Sequence, residues 1–261
     1  MDVQVLVSTM YQNNFSIIEK MNIQSDAIVI NQCNKNQYNE LRYNGHLIRF
    51  LSFNERGVGL SRNNALMRAD ADICLFADDD VTYLDNYVEL IRKSFERLPG
   101  ADVIIFNVPS TNPNRIYEDI TKVKKIRWFN CLKYGAVRMA IRTESIKRKN
   151  IYFSLLFGGG ARYSAGEDSL FIFECIKRGL KVYGVPVKIG TVSQEDSTWF
   201  EGYTDKYFID KGAFYASLSK RWANLFCLQF VIRHRKMFEK DKNWREALKL
   251  MLDGSGKFKS L

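Results

Sequence analysis

The chain has 261 residues, 46% of them hydrophobic, with only four prolines, which supplies one sizeable core and argues against a disordered chain. Its formal net charge of +10 is unevenly placed: Lys122 to Lys149 holds ten Lys/Arg against the single acid Glu144, and Lys220 to Leu261 holds eleven against four acids. Five scattered cysteines without a CxxC spacing and only two histidines, His46 and His234, argue against a zinc site, a disulfide framework or a histidine triad, and fit reduced thiols in a cytosolic protein.

From the N-terminus, Val3 to Val7 reads as a strand and Phe15 to Met21 as a short helix. Ala27 to Ile30 and Leu47 to Phe53 are further strands, and Leu60 to Ala69 is a helix. Ile73 to Ala77 is a fourth strand, Leu84 to Leu98 a long amphipathic helix, and Val103 to Phe106 a fifth strand. This βαβα rhythm predicts an α/β fold with a mainly parallel central sheet flanked by helices. Ligands in such sheets sit at strand tips, here after Val7, Ile30, Phe53 and Ala77. Further on, Tyr134 to Ile141 reads as a strand, followed by a basic turn or short helix through Lys149. Gly166-Glu167-Asp168 opens a helix ending near Arg178-Gly179, and Leu180 to Val187 returns as a strand. Beyond about Tyr207 the pattern is helical and basic. The division expected is 1–215 for the main domain and 216–261 for a basic helical C-terminal extension. The N-terminus lacks the features of a signal peptide, and no apolar run approaches the roughly 20 residues of a membrane span.

Four segments carry candidate chemistry. Asp78-Asp79-Asp80 follows directly on the apolar strand. Adjacent carboxylates repel and are costly to desolvate, so they require a cation or generous solvation. Mg²⁺ and Mn²⁺ take oxygen ligands, and one or two carboxylates suffice where substrate phosphates and water complete the shell. The alternative is a solvated turn with Asp85 capping the next helix. Gly57-Val58-Gly59-Leu60-Ser61-Arg62-Asn63-Asn64-Ala65 is a glycine-bearing entry to a helix that could bring backbone N–H groups and Arg62 to a phosphate; the alternative is a flexible loop with Ser61 as helix cap. Glu167-Asp168 opens a helix, where acids are favoured by the dipole without any function, yet a carboxylate held against a hydroxyl can accept its proton. Gln194-Glu195-Asp196-Ser197-Thr198-Trp199-Phe200 sets aromatics beside polar groups, either to stack on sugar rings or to join a core.

Taken in order, these segments resemble the family 2 glycosyltransferases with the GT-A fold. The resemblance spans roughly residues 3 to 215 and rests on Val3 to Thr9, Gly59-Leu60-Ser61-Arg62-Asn63, Phe76-Ala77-Asp78-Asp79-Asp80, Phe157-Gly158-Gly159-Gly160, Gly166 to Phe171 and Ser197-Thr198-Trp199-Phe200. It implies an inverting transfer of a sugar from a nucleotide-diphosphate donor, a UDP-sugar, to a saccharide or lipid-linked saccharide in surface polysaccharide synthesis. By the same resemblance, Thr9, Asn31, Arg62, Asp78 and Asp79 bind the nucleotide-sugar, and Asp80 binds Mn²⁺ or Mg²⁺. Asp168 is the general base with Glu167 beside it, and Gly159, Gly160, Gln194 and Trp199 serve the acceptor or a lid. Many relatives place a histidine just before the Ser-Thr-Trp segment; here the positions read Val192-Ser193-Gln194-Glu195-Asp196, with Gln194 as a neutral substitute.

Rival classes remain. A non-catalytic scaffold of the same fold in a polysaccharide assembly is one. A nucleic-acid binder is disfavoured, because no zinc finger or RNP motif is present and an acidic strand tip repels phosphate. The apolar cluster Leu225 to Ile232 beside Arg233, Arg235 and Lys236 suits an anionic membrane surface, which would place a cytoplasmic protein on the inner face of the plasma membrane. Packing of that helix on the domain, or against a second subunit in an oligomer, is the alternative.

Overall fold

The computed structural model of the chain describes residues 1–113, 118–194 and 202–260. They fall into two compact units, Met1–Ser154 with Asp168–Asp196, and Leu155–Glu167 with Ser197–Leu261. The division expected between residues 215 and 216 lies inside a helix of the second unit, Asp205–Leu218.

The first unit runs β1 (Val3–Met10), α1 (Ile17–Lys20), β2 (Asp26–Gln32), β3 (Gln37–Tyr43), β4 (His46–Phe53), α2 (Val58–Arg68), β5 (Ile73–Asp78) and β6 (Val81–Tyr83). It continues with α3 (Tyr87–Arg97), β7 (Val103–Asn107), β8 (Lys124–Ile126), β9 (Met139–Arg142), α4 (Thr143–Arg148), α5 (Glu167–Lys177, of which Glu167 falls to the second unit), β10 (Val182–Lys188) and β11 (Gly190–Val192). Among the described residues the main sheet has nine strands in the order β3-β4-β2-β1-β5-β9-β7-β10-β8, and β6 pairs with β11 apart from it. β4, β2, β1 and β5 are parallel, as are β7 and β10. β9 runs antiparallel between β5 and β7, and β3 and β8 are antiparallel edges.

Alternation along the strands builds two cores. Val3, Val5 and Val7 of β1 join Ala27 and Val29 in one cluster with Ile17 and Ile18 of α1, Met21 at its end, and Ile91 and Phe95 of α3. Leu6, Ile28, Ile30 and Phe76 face the other way, onto Leu66 of α2, Ile146 of α4 and Phe171 and Ile172 of α5. A sheet covered on both faces needs apolar residues at nearly every position, which is why these strands read as mainly apolar runs, with the buried Gln4 of β1 as an exception bonded to Asp70 (3.0 Å). Each such side chain contributes roughly 1.5–3 kcal/mol on burial.

Several expectations are corrected. β3 was not foreseen; it joins β4 through Asn44-Gly45, both at positive φ (49° and 87°), with Tyr43 paired to His46, the two-residue turn that matches strand twist. The strand expected over Tyr134 to Ile141 begins only at Met139, after a single 3-10 turn over Ala136–Arg138. The preceding backbone is drawn out of the sheet, with the Ala136 N–H donating to the Asp168 carboxylate (2.9 Å). Asp85 does not cap α3, whose N-cap is Asn86; its carboxylate accepts from Asn22 Nδ2 at 2.8 Å. The helix stop at Gly179 is as expected, with Leu180 N–H closing on the Cys175 carbonyl (2.9 Å). All five cysteines are buried and free, and burial pushes the Cys74 thiol up to about 12 and Cys131 to about 11, leaving inert thiols.

The second unit contains α6 (Asp205–Leu218), α7 (Ala223–Phe238) and α8 (Trp244–Lys259) around Phe208, Cys227, Phe230, Val231, Phe238, Ala247 and Met251. A Cβ at Gly212 would collide with the Met251 carbonyl, and one at Gly254 with the Ile209 carbonyl, so α6 and α8 meet backbone to backbone. The cluster Leu225 to Ile232 divides on α7: Cys227, Phe230 and Val231 are buried, whereas Leu225, Leu228 and Ile232 are exposed. Among the described residues no helix is long and apolar enough to cross a membrane.

Candidate active site

β5 delivers the aspartate triplet to its C-terminal tip, where sheet register pairs Asp78 with Ser8 of β1. The next residue of β1, Thr9, donates from its hydroxyl to Asp79 Oδ2 (2.6 Å) and accepts from Gln12 Nε2 (2.9 Å). Asp80 turns into β6 and is held by the strand that pairs there: Ser193 N–H donates to its carbonyl (3.0 Å) and Gln194 N–H to its Oδ2 (3.2 Å). Burial and then the charge of Asp78 push the Asp80 carboxyl up to about 6, against the lowering effect of the Gln194 N–H. The Asp80 carboxyl therefore resists ionisation, and a hard cation is the partner that reverses this. Among the described residues no three His, Cys, Asp or Glu side chains gather into a metal cage. The donor set thus fits a Mg²⁺ or Mn²⁺ ion that takes one or two carboxylates and completes its shell from phosphate and water.

Gln194 sits at φ 53°, a left-handed conformation that costs a non-glycine residue about 1 kcal/mol or more. It touches Asp80 through its backbone N–H, not through a side-chain imidazole.

Arg62 links the triplet to α5. It is 3% exposed, and its Nη2 donates to Asp78 Oδ1 and Oδ2 (3.0 and 3.1 Å) while Nη1 donates to Asp168 Oδ1 (2.6 Å). Asp168 Oδ2 takes the Ala136 N–H. The guanidinium lies over the Phe153 ring at 5.3 Å, and Phe153 stacks on Phe171 (4.2 Å) with Phe76 edge-on to both. The whole Gly59–Asn64 segment acts as a clamp. Ser61 lies within α2 and donates to Ser8 Oγ (2.9 Å), and Asn63 exchanges two hydrogen bonds with the Phe153 backbone (2.8 and 2.9 Å). A Cβ at Gly59 would collide with the Ser154 carbonyl. The segment is thus neither a flexible loop nor a serine cap.

Asn31 is fully buried. Its amide bonds Gln12 N–H and Gln12 carbonyl (2.9 and 3.0 Å) and donates to Ser52 Oγ (3.1 Å), so it fixes the loop after β1 from below. In the second unit, Gly159 and Gly160 lie in a tight loop closed by Gly158 N–H to the Tyr163 carbonyl (2.9 Å) and by the stacked Phe157 and Tyr163 rings (4.8 Å). Gly159 has open space where a Cβ would stand. Glu167 is the first residue of α5 and is largely buried. Trp199 lies outside the described residues.

Sequence reasoning passed over Gln12, Tyr11 and Arg56. Tyr11 is exposed at the tip of β1, at φ 54°. The Arg56 guanidinium lies 5.0 Å from its ring centroid and donates to its hydroxyl (2.8 Å). An aromatic immediately after a buried strand, facing the loop before a helix, was the available signal.

With this geometry, the fold is that of the GT-A glycosyltransferases. Residues 27–153 match the model of Glycosyl transferase family 2, and the fold is the one that the resemblance implied. The structure is similar to S. aureus TarS residues 1–349 in complex with UDP-GlcNAc, with TM-score 0.68 at 16% identity over 99% of this chain and 80% of that one. It is also similar to the mannosyltransferase PcManGT from Pyrobaculum calidifontis in complex with GDP-Man and Mn²⁺, with TM-score 0.53 at 12% identity over 99% and 75% of the two chains. No curated protein matches the sequence.

Proposed function

We propose that the protein is an inverting glycosyltransferase that moves a sugar from a nucleotide-diphosphate donor, of the UDP-sugar class, to a hydroxyl of a saccharide or lipid-linked saccharide in surface polysaccharide synthesis. The observation that carries this reading is the Arg62 fork, which ties the strand-tip Asp78 to Asp168 beside the desolvated Asp80. The nucleotide-sugar complexes of the two structural neighbours support the donor class.

Asp168 accepts the proton of the acceptor hydroxyl as that oxygen bonds the anomeric carbon and the bond from carbon to the diphosphate breaks on the opposite face. Arg62 and the Ala136 N–H fix the direction of the Asp168 carboxylate, so the reacting oxygen meets it in one geometry. A divalent cation on Asp80 would neutralise the departing diphosphate. Asp78 and Asp79, backed by Thr9, hold the nucleoside and ribose side of the donor, with Tyr11 as an added contact for the base. Asn31 serves by shaping the loop beneath them, and Arg62 by aligning carboxylates. Glu167, Gln194, Gly159, Gly160 and Trp199 are assigned to the acceptor or to closure. The exposed Leu225, Leu228 and Ile232 of α7, beside Arg235 and Lys236, support peripheral attachment at an anionic cytoplasmic membrane face.

Two substitutions test the assignment. Asp80→Ala is expected to abolish the Mn²⁺-dependent part of donor binding, read by calorimetry. Asp168→Asn is expected to bind donor as the native protein does and to lose transfer by about 10²-fold or more. Native transfer rates in Asp168→Asn would remove the base assignment.

A further inference from the structure

The segment between Asp119 and Glu144 contains no acidic residue, and it includes a turn of unusual composition. Residues Arg127–Asn130 are closed by Asn130 N–H to the Arg127 carbonyl (3.0 Å) and Arg127 N–H to Asn130 Oδ1 (2.8 Å). The central positions of such turns ordinarily carry Gly, Pro, Asn or Asp; here they carry Trp128 and Phe129, 62% and 64% exposed. The base of the turn is rigid, since Ile126, Cys131 and Tyr134 are buried. Val123 and Leu132 add exposed aliphatic surface, and Lys122, Lys125, Arg127 and Lys133 are exposed around it. Lys133 pairs with Glu118.

We propose that this turn docks on an anionic lipid bilayer, with Trp128 and Phe129 entering the interface and the surrounding cations holding the headgroups. Exposed aromatics on a basic turn match that boundary, where apolar burial and headgroup attraction add. A saccharide is a poorer match. A sugar site combines an aromatic face with convergent hydrogen-bonding side chains. The two rings here stand at 87° to each other, so they form a wedge instead of a flat platform, and Val123 and Leu132 offer a sugar nothing. A second copy of the chain would bring like charges together.

The position of the turn gives docking a consequence that rests on the transferase reading. Ser169 Oγ donates to the Leu132 carbonyl (3.0 Å), and Ala136 N–H donates to Asp168 (2.9 Å). The segment that carries the turn is thus bonded to the first turn of α5, so docking would couple the lipid surface to the residue proposed as the base.

The test is flotation of the full chain with vesicles of roughly one-third phosphatidylglycerol in phosphatidylcholine, against phosphatidylcholine alone. The native protein is expected to float with the anionic vesicles only, and added salt to release it. Trp128→Ser with Phe129→Ser is expected to weaken vesicle binding by about tenfold or more at an unchanged melting temperature. Lys122→Glu with Lys125→Glu is expected to do the same without touching the aromatics. Equal flotation of the native and aromatic variants overturns the proposal, as does native binding without preference for anionic lipid. Loss of binding confined to Leu225→Ser with Ile232→Ser overturns it in favour of α7. An aromatic variant that floats normally but fails to glycosylate a soluble acceptor overturns it in favour of an acceptor platform. Absence of transfer by the native protein counts against the transferase reading alone, because flotation does not depend on it.

Discussion

Arg62 is the residue on which the candidate site turns. A guanidinium at 3% exposure needs its charge matched within the protein, and Asp168 and Asp78 take its Nη1 and Nη2 donors. It lies 106 residues from Asp168 in sequence, so no local pattern could show the pairing. The sequence suggested a nucleotide or diphosphate contact for Arg62; the structure adds its bonds to Asp78 and Asp168. Arg62→Met would leave Asp78 and Asp168 facing each other without the intervening charge. Breaking a buried ionic bridge of this kind costs roughly 3–5 kcal/mol, less here because both carboxylates are partly solvated. The expected stability loss is therefore about 2 kcal/mol by urea unfolding, and a misdirected base should lower transfer by on the order of 10²-fold. Native stability and rate in Arg62→Met would show the bridge to be incidental.

At the scale of elements, α2 must lie close enough to Phe153 and Ser154 for Arg62 to reach across. Gly59 permits this, and it makes a prediction with a contested sign. Replacing a helical glycine by alanine ordinarily stabilises by about 1 kcal/mol. Here the added Cβ meets the Ser154 backbone carbonyl, which cannot rotate away, so Gly59→Ala is expected to destabilise by roughly 1–3 kcal/mol. The donor should also bind more weakly, because α2 carries Arg62 one turn further on. A raised melting temperature in this variant would show that the Ser154 segment yields. The elements that could be read in advance share a cause: β1, β2, β5 and β7 are buried over nearly all their length, as is the second half of β4, and their central residues are mainly apolar. β6, β8 and β11 have three residues each, too few to display a period, and are fixed by their partners. β3 alternates between exposed and half-buried positions, and its signal lay in Asn44-Gly45, not in its own residues.

For the molecule as a whole, the strand tips and the triplet were legible because parallel sheets place their ligands there, whereas the supports of the site were not. Gln194 reaches Asp80 through a backbone N–H, and Thr9 at the end of β1 reaches Asp79 just past the neighbouring β5, 70 residues away; neither pairing shows in the local sequence. The same geometry governs how donor and metal should act together. Asp80 stands among like charges, and the described residues gather no cage of ligands around it, so Mn²⁺ alone is expected to bind weakly. A nucleotide-sugar alone brings a diphosphate toward three carboxylates and is repelled. Bound together, each would supply what the other lacks: a diphosphate would offer oxygen ligands to a cation on Asp80, and the cation would offset the repulsion. Melting curves with a panel of nucleotide sugars should therefore show small shifts for Mn²⁺ or donor separately and a larger one for the pair. At a free concentration of about a hundred times Kd, ligand binding adds roughly 2.7 kcal/mol, worth on the order of 5 °C for a protein of this size. The sugar giving the largest joint shift identifies the donor, and Asp80→Ala should reduce the response to that of the donor alone. A flat response to every donor, with and without metal, would favour a non-catalytic scaffold of this fold over a transferase.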